Sequence, residues 1–475
     1  MNLLLCCDFG STFTKLSVID PSAGEIVAFA KAFTTIDSNI MDGYNSALDE
    51  IQKTCGKRVF DTRLAASSAA GGLKMVASGL VPDLTAKASR LAAASAGAKV
   101  LKTYAYELTQ EDTAEIASIA PDIILLSGGI DGGNKEVLLK NAESIAQTGG
   151  DFCVIIAGNR TAASEAEGLI SKHGKRAIVC ENVMPQFGQL NIEPAKNAIR
   201  ELFIKNIISA KGLDQAQATM SHEIIPTPLA VYEAAKLLSL GIEAGNETGT
   251  EAETEPGLGQ LMVYDLGGAT SDVYSMADGL PVSTNVYVQG LIEPYAKRTV
   301  EGDIGMRYSL KPMLEAIAEG GMQQFYNSYG ISETELTTWL EICTATPDVL
   351  PIGNHAPYKN VENALAQEAI KISAARHVGS YERIYTPMGE TLVQTGKDLT
   401  QVKYVIGTGG AIINAATPSS ILQAATYAPK DTNLLKPQSP QLLLDKDYCL
   451  AAMGLLSRKF PLLALKMMKQ KLVKI

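Results

Sequence analysis

The chain opens with apolar runs separated by short polar turns. In "LLLCCDFGSTFTKLSVID" (3–20), the apolar run Leu3–Cys7 meets an acid and a Gly-Ser-Thr turn, and a second run follows over Phe13–Ile19. The turn "DPSAGE" separates this run from a third one over Ile26–Phe33. Short apolar runs bounded by Gly, Pro, Asp and Ser are typical of paired β-strands. The pattern therefore predicts strand, turn, strand, turn, strand at the start of the chain.

The middle of the chain alternates apolar runs with helix-type segments. "PDIILLSGGIDGGN" (121–134) is an apolar run that ends in glycines, and the helical "KEVLLKNAESIAQ" follows it closely. Two further runs, "DFCVIIAGN" and "RAIVCENV", flank a helix predicted near Thr161–Lys172. This alternation predicts a small parallel α/β unit over about 120–185. A long helix is predicted from Glu193 or Pro194 to about Ala210, since proline is tolerated in a first helical turn.

A second strand-and-turn unit repeats the opening pattern. The acidic "GIEAGNETGTEAETEPGLGQ" (241–260) has no hydrophobic periodicity and is predicted to be a surface loop. It leads into "LMVYDLGGATSDVYSMADG" (261–279), which again reads apolar strand, Asp-x-Gly, small polar residues and strand. The chain therefore contains the same strand-turn-strand pattern twice.

Both turns carry residues suited to phosphate and magnesium. Gly and small hydroxyl residues let backbone N–H groups approach phosphate oxygens without a Cβ in the way. An acid at the end of the preceding strand can hold Mg²⁺, usually through water. Asp8 and Asp265 are therefore predicted to bind the metal and to serve catalysis. The predicted phosphate contacts are Gly10, Ser11 and Thr12 in the first turn and Gly267, Gly268 and Thr270 in the second.

A third glycine segment strengthens this interpretation. "VKYVIGTGGAIIN" (402–414) is an apolar strand that ends at Gly407, Thr408, Gly409 and Gly410, before a predicted helix. Glycines there permit close backbone contact with a nucleoside or its phosphates. Hairpin geometry alone would explain either of the first two turns, and tight packing would explain the third. The three segments together favour a nucleotide site.

The order Asp8–Lys15, Asp265–Thr270 and Gly407–Gly410 resembles the actin, Hsp70 and sugar-kinase superfamily of ATPases. "IIPTPLAVYEAAKLL" and "DYCLAAMGLLSR" are similar to its connecting helices. The resemblance covers nearly the whole chain except about 120–210. It implies an α/β fold in which two ribonuclease-H-like lobes clamp Mg-ATP between them. Lys15 resembles the phosphate-contacting lysine of actin, and a strand lysine that points to solvent is the alternative.

The resemblance also implies a division of the chain into four segments. These are the first part of an N-terminal actin-like lobe (1–119), an inserted α/β subdomain and helix (120–210), a connecting helix with the acidic loop (211–260), and a C-terminal actin-like lobe with a closing helix (261–475).

A closer resemblance concerns one family within this superfamily. "DFGSTFTK", "DLGGATSDVYS", "RTVEGDIGMRYS" and "GTGGAI" together resemble the MutL-like accessory proteins of adenosylcobalamin-dependent glutamate mutase, which are unrelated to mismatch repair. The resemblance implies an ATP-dependent chaperone or reactivating factor of the mutase, with adenosylcobalamin bound only by that partner. ATP and ADP would favour different closures of the cleft and so act on the bound partner. The α/β unit near 120–185, or the acidic loop, is predicted to contact the mutase.

One position departs from the Hsp70 pattern. Hsp70-like proteins have an acid just before the Pro-Thr of the first connecting helix, whereas Ile225 precedes Pro226 and Thr227 here. Glu223 and Glu301 are candidate replacements, and a solvated surface acid is the alternative for each. Because the attacking water would be poorly positioned, we expect slow hydrolysis.

The composition of the chain limits the classes of protein to which it can belong. The chain has 475 residues, 46% hydrophobic and 19% charged, which suits a globular protein with large cores. Its net charge of -10 argues against general nucleic-acid binding, which needs a basic surface. Neither the cysteines nor the histidines show metal-ligand spacing. With no signal peptide and no apolar segment of about 18 residues, a cytoplasmic protein without membrane association is expected.

Other members of the superfamily supply the alternatives. A small-molecule kinase of the same fold needs a carboxylate base aimed at an acceptor hydroxyl, and no motif plainly supplies one. A filament-forming protein of the actin type would show nucleotide-dependent pelleting, of which the sequence gives no sign. Dehydratase-activator ATPases share the "GST" turn but need a cluster-binding cysteine pair, and no suitable pair is visible. The mutase accessory factor is therefore the preferred function, with the kinase second.

Overall fold

The computed structural model describes residues 3–35, 38–56, 58–68, 74–207, 212–243, 254–386 and 389–475. Contacts divide the chain into two compact units. The first unit comprises Met1–Ala69, Lys211–Tyr287 and Arg298–Ile475, and the second unit comprises Ala70–Ala210 and Val288–Lys297.

The strands are mostly short and apolar. In chain order they are β1 Leu4–Phe9, β2 Phe13–Asp20, β3 Glu25–Phe33, β4 Thr62–Ser67, β5 Lys74–Gly79, β6 Lys99–Ala105, β7 Ile123–Leu126, β8 Cys153–Ile156, β9 Arg176–Val179, β10 Ile225–Pro226, β11 Gly241–Ile242, β12 Glu255–Pro256, β13 Leu261–Leu266, β14 Ser271–Met276, β15 Val286–Gln289, β16 Ala296–Glu301, β17 Ser380–Thr386, β18 Gly389–Thr395, β19 Tyr404–Thr408, β20 Gln441–Leu444 and β21 Val473–Lys474.

The helices vary from one turn to five. In chain order they are α1 Ile40–Cys55, α2 Lys87–Ser95, α3 Gln110–Ile119, α4 Glu136–Gln147, α5 Arg160–Lys172, α6 Glu193–Ile207, α7 Leu213–Thr219, α8 Thr227–Leu240, α9 Leu310–Glu319, α10 Met322–Tyr329, α11 Glu333–Ala345, α12 Lys359–His377, α13 Gly410–Ile413, α14 Pro418–Gln423, α15 Leu450–Ser457 and α16 Pro461–Lys471. A π-helix over Pro82–Ala86 precedes α2, and a 3₁₀-helix over Gly353–Tyr358 precedes α12.

The N-terminal sheet of the first unit has the strand order β10-β4-β1-β2-β3. β1, β2 and β3 form an antiparallel meander, and Asp8 pairs with Lys15 in its register. β4 runs parallel to β1, and β10 runs parallel to β4. β1 is buried along its whole length, which explains why its sequence is continuously apolar up to Asp8. The three strands predicted at the start of the chain are confirmed.

A second sheet in the first unit repeats this arrangement, with the order β16-β14-β13-β19-β20-β21. β13 pairs antiparallel with β14 on one side and parallel with β19 on the other, as β1 does with β2 and β4. Asp265 pairs with Asp272 in the second hairpin, at the position that Asp8 and Lys15 occupy in the first. The repeated order is that of two ribonuclease-H-like lobes, so the predicted fold is confirmed.

Both predicted connecting helices are present in the first unit. The segment "IIPTPLAVYEAAKLL" contains α8, which begins at Thr227 and has Pro228 in its first turn. The segment "DYCLAAMGLLSR" contains α15, whose residues from Leu450 to Leu456 are buried. Gly454 lets α15 approach α8, because a Cβ there would clash with the carbonyl oxygen of Ala230.

The second unit is built on a parallel sheet with the order β6-β5-β7-β8-β9. β7 and β8 are fully buried, and α4 and α5 pack into the same core. The predicted alternation of strand and helix over 120–185 is confirmed, and β5 and β6 extend its sheet from earlier in the chain. α6 begins at Glu193 as predicted. Its predicted end near Ala210, and residues 244–253 of the predicted acidic loop, lie outside the described residues.

None of the described helices combines the length and the apolar character that crossing a bilayer requires.

Candidate functional site

The first predicted phosphate turn closes the β1–β2 hairpin. The N–H of Gly10 donates to the carbonyl oxygen of Phe13 at 3.1 Å. A Cβ on Gly10 would lie 2.6 Å from that same oxygen, so the turn requires glycine. Ser11 and Thr12 follow and are partly exposed. The turn therefore presents backbone and small hydroxyl side chains to its surroundings.

The second predicted turn has the same internal bond and an external support. The N–H of Gly267 donates to the carbonyl oxygen of Thr270 at 2.9 Å. The segment after β16 braces the turn, since the N–H of Met306 donates to Gly267 O at 3.1 Å and that of Arg307 donates to Gly268 O at 2.8 Å. With these carbonyl groups paired, the protein itself holds the shape of the turn.

The two turns meet across a cleft within the first unit. A Cβ added to Gly268 would lie only 3.1 Å from the hydroxyl oxygen of Thr12. The cleft has a volume of about 910 Å³, within the range of about 300–1,000 Å³ that is usual for small-molecule sites. The predicted site residues that line it are Gly10, Ser11, Thr12, Lys15, Asp265, Gly267, Gly268, Thr270, Gly409 and Gly410.

The third glycine segment is divided between the cleft and the core. Gly409 has a φ of +92°, and a Cβ there would clash with the carbonyl oxygen of Leu266. Gly410 begins α13 and is exposed. Gly407 and Thr408 are instead buried in β19, and the Thr408 hydroxyl donates to Asp445 Oδ2 at 3.0 Å. The structure therefore places Gly409 and Gly410 at the cleft and gives Gly407 and Thr408 a supporting position.

Asp8 is a buried carboxylate with its partners in place. Its Oδ1 accepts a hydrogen bond from the Thr227 hydroxyl at 2.6 Å, and its Oδ2 lies 3.4 Å from the ammonium nitrogen of Lys15. Thr227 is the first residue of α8, so the bond links β1 to that helix. The sequence points to Thr227 only through the Pro-Thr pair, without indicating this contact.

Asp265 is the most perturbed acid of the cleft. Burial, the largest cause, and the nearby carboxylate of Asp272 together raise its pKa to about 7, whereas Lys15 opposes the shift. Asp8 and Asp445 also act on Asp265 electrostatically. The predicted pair Asp8 and Asp265 is therefore close enough to interact, with Lys15 among the carboxylates.

Lys15 lies in the cleft rather than in open solvent. Burial lowers its pKa, and attraction to Asp8, Asp265 and Asp445 works in the opposite direction. Its ammonium nitrogen also lies 3.2 Å from the ring centroid of Tyr448. A cation held in this position can meet an anionic ligand as a point charge.

The donor set of the cleft suits magnesium held mainly by water and phosphate. Among the described residues, no three His, Cys, Asp or Glu side chains cluster as a metal cage. Mg²⁺ does not need such a cage, because it commonly keeps several waters and takes one or two carboxylates plus substrate phosphates. Asp8 and Asp265 provide two hard oxygen donors, and the glycine turns leave room for phosphate beside them. The residues present therefore fit a magnesium nucleotide.

Glu301, predicted as a catalytic acid, lies in a charged group with other partners. Its Oε2 accepts a hydrogen bond from Arg376 at 2.9 Å, and the same guanidinium binds Asp303 at 2.8 Å. Glu301 and Asp303 therefore share the single positive charge of Arg376, as in a structural ion-pair network. Glu223, the other candidate, is exposed. A catalytic role for Glu301 stays a prediction.

Asp272 is a cleft residue that the sequence prediction missed. Its Oδ1 accepts two hydrogen bonds from the guanidinium of Arg298, at 2.6 and 2.8 Å, and both residues are buried. The spacing was available as a signal, because Asp272 follows Asp265 by the same interval at which Lys15 follows Asp8. The charge at this register position is thus reversed between the two lobes.

Arg307 and Glu362 form a second part of the wall that was not predicted. Arg307 donates to Glu362 Oε1 at 2.9 Å, and the indole N–H of Trp339 donates to Glu362 Oε2 at 2.8 Å. The network fixes Arg307 next to Gly268. No local motif indicates it, because its members come from three distant segments.

The fold and the cleft together define an actin-like α/β protein whose two lobes flank a small-molecule-sized cleft. The model of the protein family described as MutL protein matches residues 4–472 of this chain. Protein MutL of Clostridium tetanomorphum is 43% identical over 479 residues, with 100% of each chain covered. The chain therefore belongs to the MutL protein family.

Solved structures resemble the chain more distantly. The nucleotide-free structure of an acetone carboxylase has 14% identity and a TM-score of 0.36, over 96% of this chain and 70% of the other. A ligand-bound xylulose kinase from Lactobacillus acidophilus has 11% identity and a TM-score of 0.36, over 100% of this chain and 93% of the other.

Proposed function

We propose that this protein is an ATP-dependent accessory factor, a chaperone or reactivating factor of an adenosylcobalamin-dependent glutamate mutase, and that Mg-ATP binds between its lobes. Membership of the MutL family supports the accessory role. The observation that carries nucleotide binding is the approach of the two glycine turns, where a Cβ on Gly268 would lie 3.1 Å from Thr12 Oγ1. Backbone N–H groups that no Cβ obstructs can bind phosphate oxygens.

The residues of the cleft take distinct parts in this proposal. The backbone of Gly10–Thr12 and of Gly267–Thr270 would bind phosphate oxygens from two sides. Asp8 and Asp265 would hold the metal, which when bound neutralises phosphate charge. Lys15 would add a positive charge, and the backbone near Gly409 would adjoin the nucleoside. All of these residues except Asp8 line the cleft, and Asp8 lies beside the cleft residue Lys15.

Slow hydrolysis remains our expectation. Ile225, at the position where Hsp70-like proteins carry an acid, is buried and apolar. The neighbouring Thr227 hydroxyl donates to Asp8. Neither group can take a proton from an attacking water, so the site would bind ATP more readily than it cleaves it.

Partner remodelling would follow from the difference between the ATP and ADP states. A nucleotide that binds one closure of the lobes more tightly shifts the population toward it. A mutase that prefers one closure would then be bound or released accordingly, while adenosylcobalamin stays with the mutase. We assign the mutase contact to the second unit.

A pulldown tests the proposal. The tagged full chain is mixed with extract of cobalamin-fermenting cells, with and without Mg-ATP, beside Gly268→Val as a nucleotide-site variant and Gly320→Ala as a control in the first unit, where a Cβ would make only an ordinary contact. We expect the wild type and Gly320→Ala to recover mutase subunits in amounts that depend on ATP, and Gly268→Val to lose that dependence. Recovery of no mutase in either state, with ATP-dependent phosphorylation of a metabolite instead, would support the kinase alternative.

A further inference from the structure

Tyr448 has an unusual backbone conformation at the edge of the cleft. Its φ is +50°, in the left-handed region that bulky side chains rarely adopt. Residues in such conformations persist only where the surrounding structure over-determines them, and they concentrate at functional sites. Tyr448 lines the cleft, and only Cys449 separates it from the buried helix α15.

Buried Asp445 holds this turn in place. The N–H of Tyr448 donates to the carbonyl oxygen of Asp445 at 3.1 Å. The side chain of Asp445 accepts from the N–H groups of Cys449 and Leu450 at 2.8 and 3.1 Å, and from the Thr408 hydroxyl at 3.0 Å. The strained conformation is therefore built into the fold and tied to the third glycine segment.

The conformation places the Tyr448 ring against Lys15. The ammonium nitrogen lies 3.2 Å from the ring centroid, well inside the range of about 6 Å for a cation–π contact. On its other side it lies 3.4 Å from Asp8 Oδ2, longer than the roughly 2.7–2.9 Å of a direct charge-assisted bond. The ammonium group is thus shared between a ring and a carboxylate.

We propose that Tyr448 is the positioning residue for Lys15, holding the ammonium back from full pairing with Asp8 so that it stays available to an anionic phosphate. A lysine has a flexible four-carbon stem, and this one lies among the carboxylates of Asp8, Asp265 and Asp445. Without the ring, the ammonium closes onto a carboxylate and neutralises it. The proposal rests on the proposed nucleotide function.

Nucleotide affinity tests the role through a mutant cycle. Binding of Mg-ATP and of adenosine is measured by calorimetry on the full chain for wild type, Tyr448→Phe, Tyr448→Leu, Lys15→Met and Lys15→Met/Tyr448→Leu. Tyr448→Leu should weaken Mg-ATP binding about tenfold, Tyr448→Phe should match wild type, and adenosine affinity should not change. In the Lys15→Met background, Tyr448→Leu should have no further effect. An equal loss in both backgrounds, or an equal loss for adenosine, would overturn the positioning role.

A second readout needs no nucleotide. Tyr448→Asn removes the ring but tolerates the left-handed turn, so it should fold even if strain in the turn prevents Tyr448→Leu from folding. Acylation of Lys15, followed by mass spectrometry with Lys31 as internal reference, should become several-fold slower in Tyr448→Asn, because an ammonium group closed onto a carboxylate is less available to the reagent, and should stay unchanged in Tyr448→Phe. Unchanged or faster labelling of Lys15 in Tyr448→Asn would overturn the contact. If wild type binds no Mg-ATP, the proposed function and the nucleotide part of this inference both fail, whereas binding that ignores Tyr448 overturns this inference alone.

Discussion

At the scale of single residues, the cleft holds charges that the fold itself disfavours. Asp265 lies near Asp272 and Asp8, and its pKa is raised to about 7 chiefly by burial. A carboxyl group with a raised pKa binds its proton more tightly in the folded than in the unfolded chain. Its ionisation therefore costs folding free energy, and binding of a cation would recover that free energy.

Asp265→Asn should stabilise the metal-free protein in a pH-dependent way. The unfavourable charge develops as pH rises from the ordinary value of 3.8 to about 7, and it persists above. In EDTA at pH 8 the variant should melt at least about 2 °C higher than wild type, and below pH 4 the two should agree. Thermal melts over this pH series make the measurement, and equal melting temperatures at pH 8 would contradict the charge assignment.

The buried Arg298–Asp272 pair offers a second test at this scale. Arg298→Met leaves the Asp272 carboxylate buried without its guanidinium, which should cost about 3 kcal/mol or more of unfolding free energy. The double variant Arg298→Met/Asp272→Asn should recover part of the loss, because the orphaned charge is removed. Calorimetric unfolding of wild type, the two single variants Arg298→Met and Asp272→Asn, and the double variant completes this double-mutant cycle. Additive losses would show that the two side chains act independently.

At the scale of elements, the two hairpins explain how the cleft forms. β1–β2 and β13–β14 have the same register, so each delivers a glycine turn at its end. The segment after β16 then fixes the second turn through Gly267 and Gly268. The close approach of Gly268 to Thr12 leaves only a tight fit for a Cβ atom at Gly268.

Gly268→Ala should weaken Mg-ATP binding without destabilising the protein. Its Cβ would lie 3.1 Å from Thr12 Oγ1, so the two turns must shift by a few tenths of an ångström. We expect Mg-ATP affinity to fall by roughly tenfold, because phosphate contacts depend on that spacing. The melting temperature should change little. Gly168→Ala, in open space on α5, serves as the control. Unaltered Mg-ATP affinity in Gly268→Ala would show that the two turns do not form the nucleotide site.

Much of this fold could be predicted from local sequence patterns. The hairpin around Gly10 and the repeat around Gly267 are short-range features, as is the alternation that predicted β7, α4 and β8. The pairing of β5 with β7, in contrast, joins segments that no periodicity connects. The Tyr448–Lys15 contact also escaped prediction, because a left-handed turn at a tyrosine has no sequence signal. Distant pairings and strained turns therefore had to come from the structure.

At the scale of the whole molecule, the proposed role needs a surface for the mutase. The second unit carries large apolar side chains that are exposed, including Tyr106, Phe187 and Ile292. Because exposed apolar patches mark protein–protein contact sites, we choose these side chains as the candidates to test for the proposed mutase contact. Phe187, with 77% of its surface exposed, is the most accessible of the three.

Phe187→Ser should weaken mutase binding without affecting the nucleotide. Aromatic anchors commonly contribute 2 kcal/mol or more to an interface, so we expect roughly a thirtyfold or larger loss of mutase affinity. Val59→Ser removes a comparably exposed apolar side chain from the first unit and should have no effect. Surface plasmon resonance with purified mutase makes the comparison. Equal mutase affinities for Phe187→Ser and wild type would show that Phe187 is not part of the contact.

Calorimetric titration of the full chain with ATP, in magnesium and again in EDTA, measures whether the cleft binds a magnesium nucleotide. We expect one ATP per chain in magnesium, strong weakening in EDTA, and loss of binding when Asp8 and Asp265 are both changed to Asn. Absence of ATP binding in magnesium, or binding that is indifferent to both carboxylates and to the metal, would overturn the proposed nucleotide site.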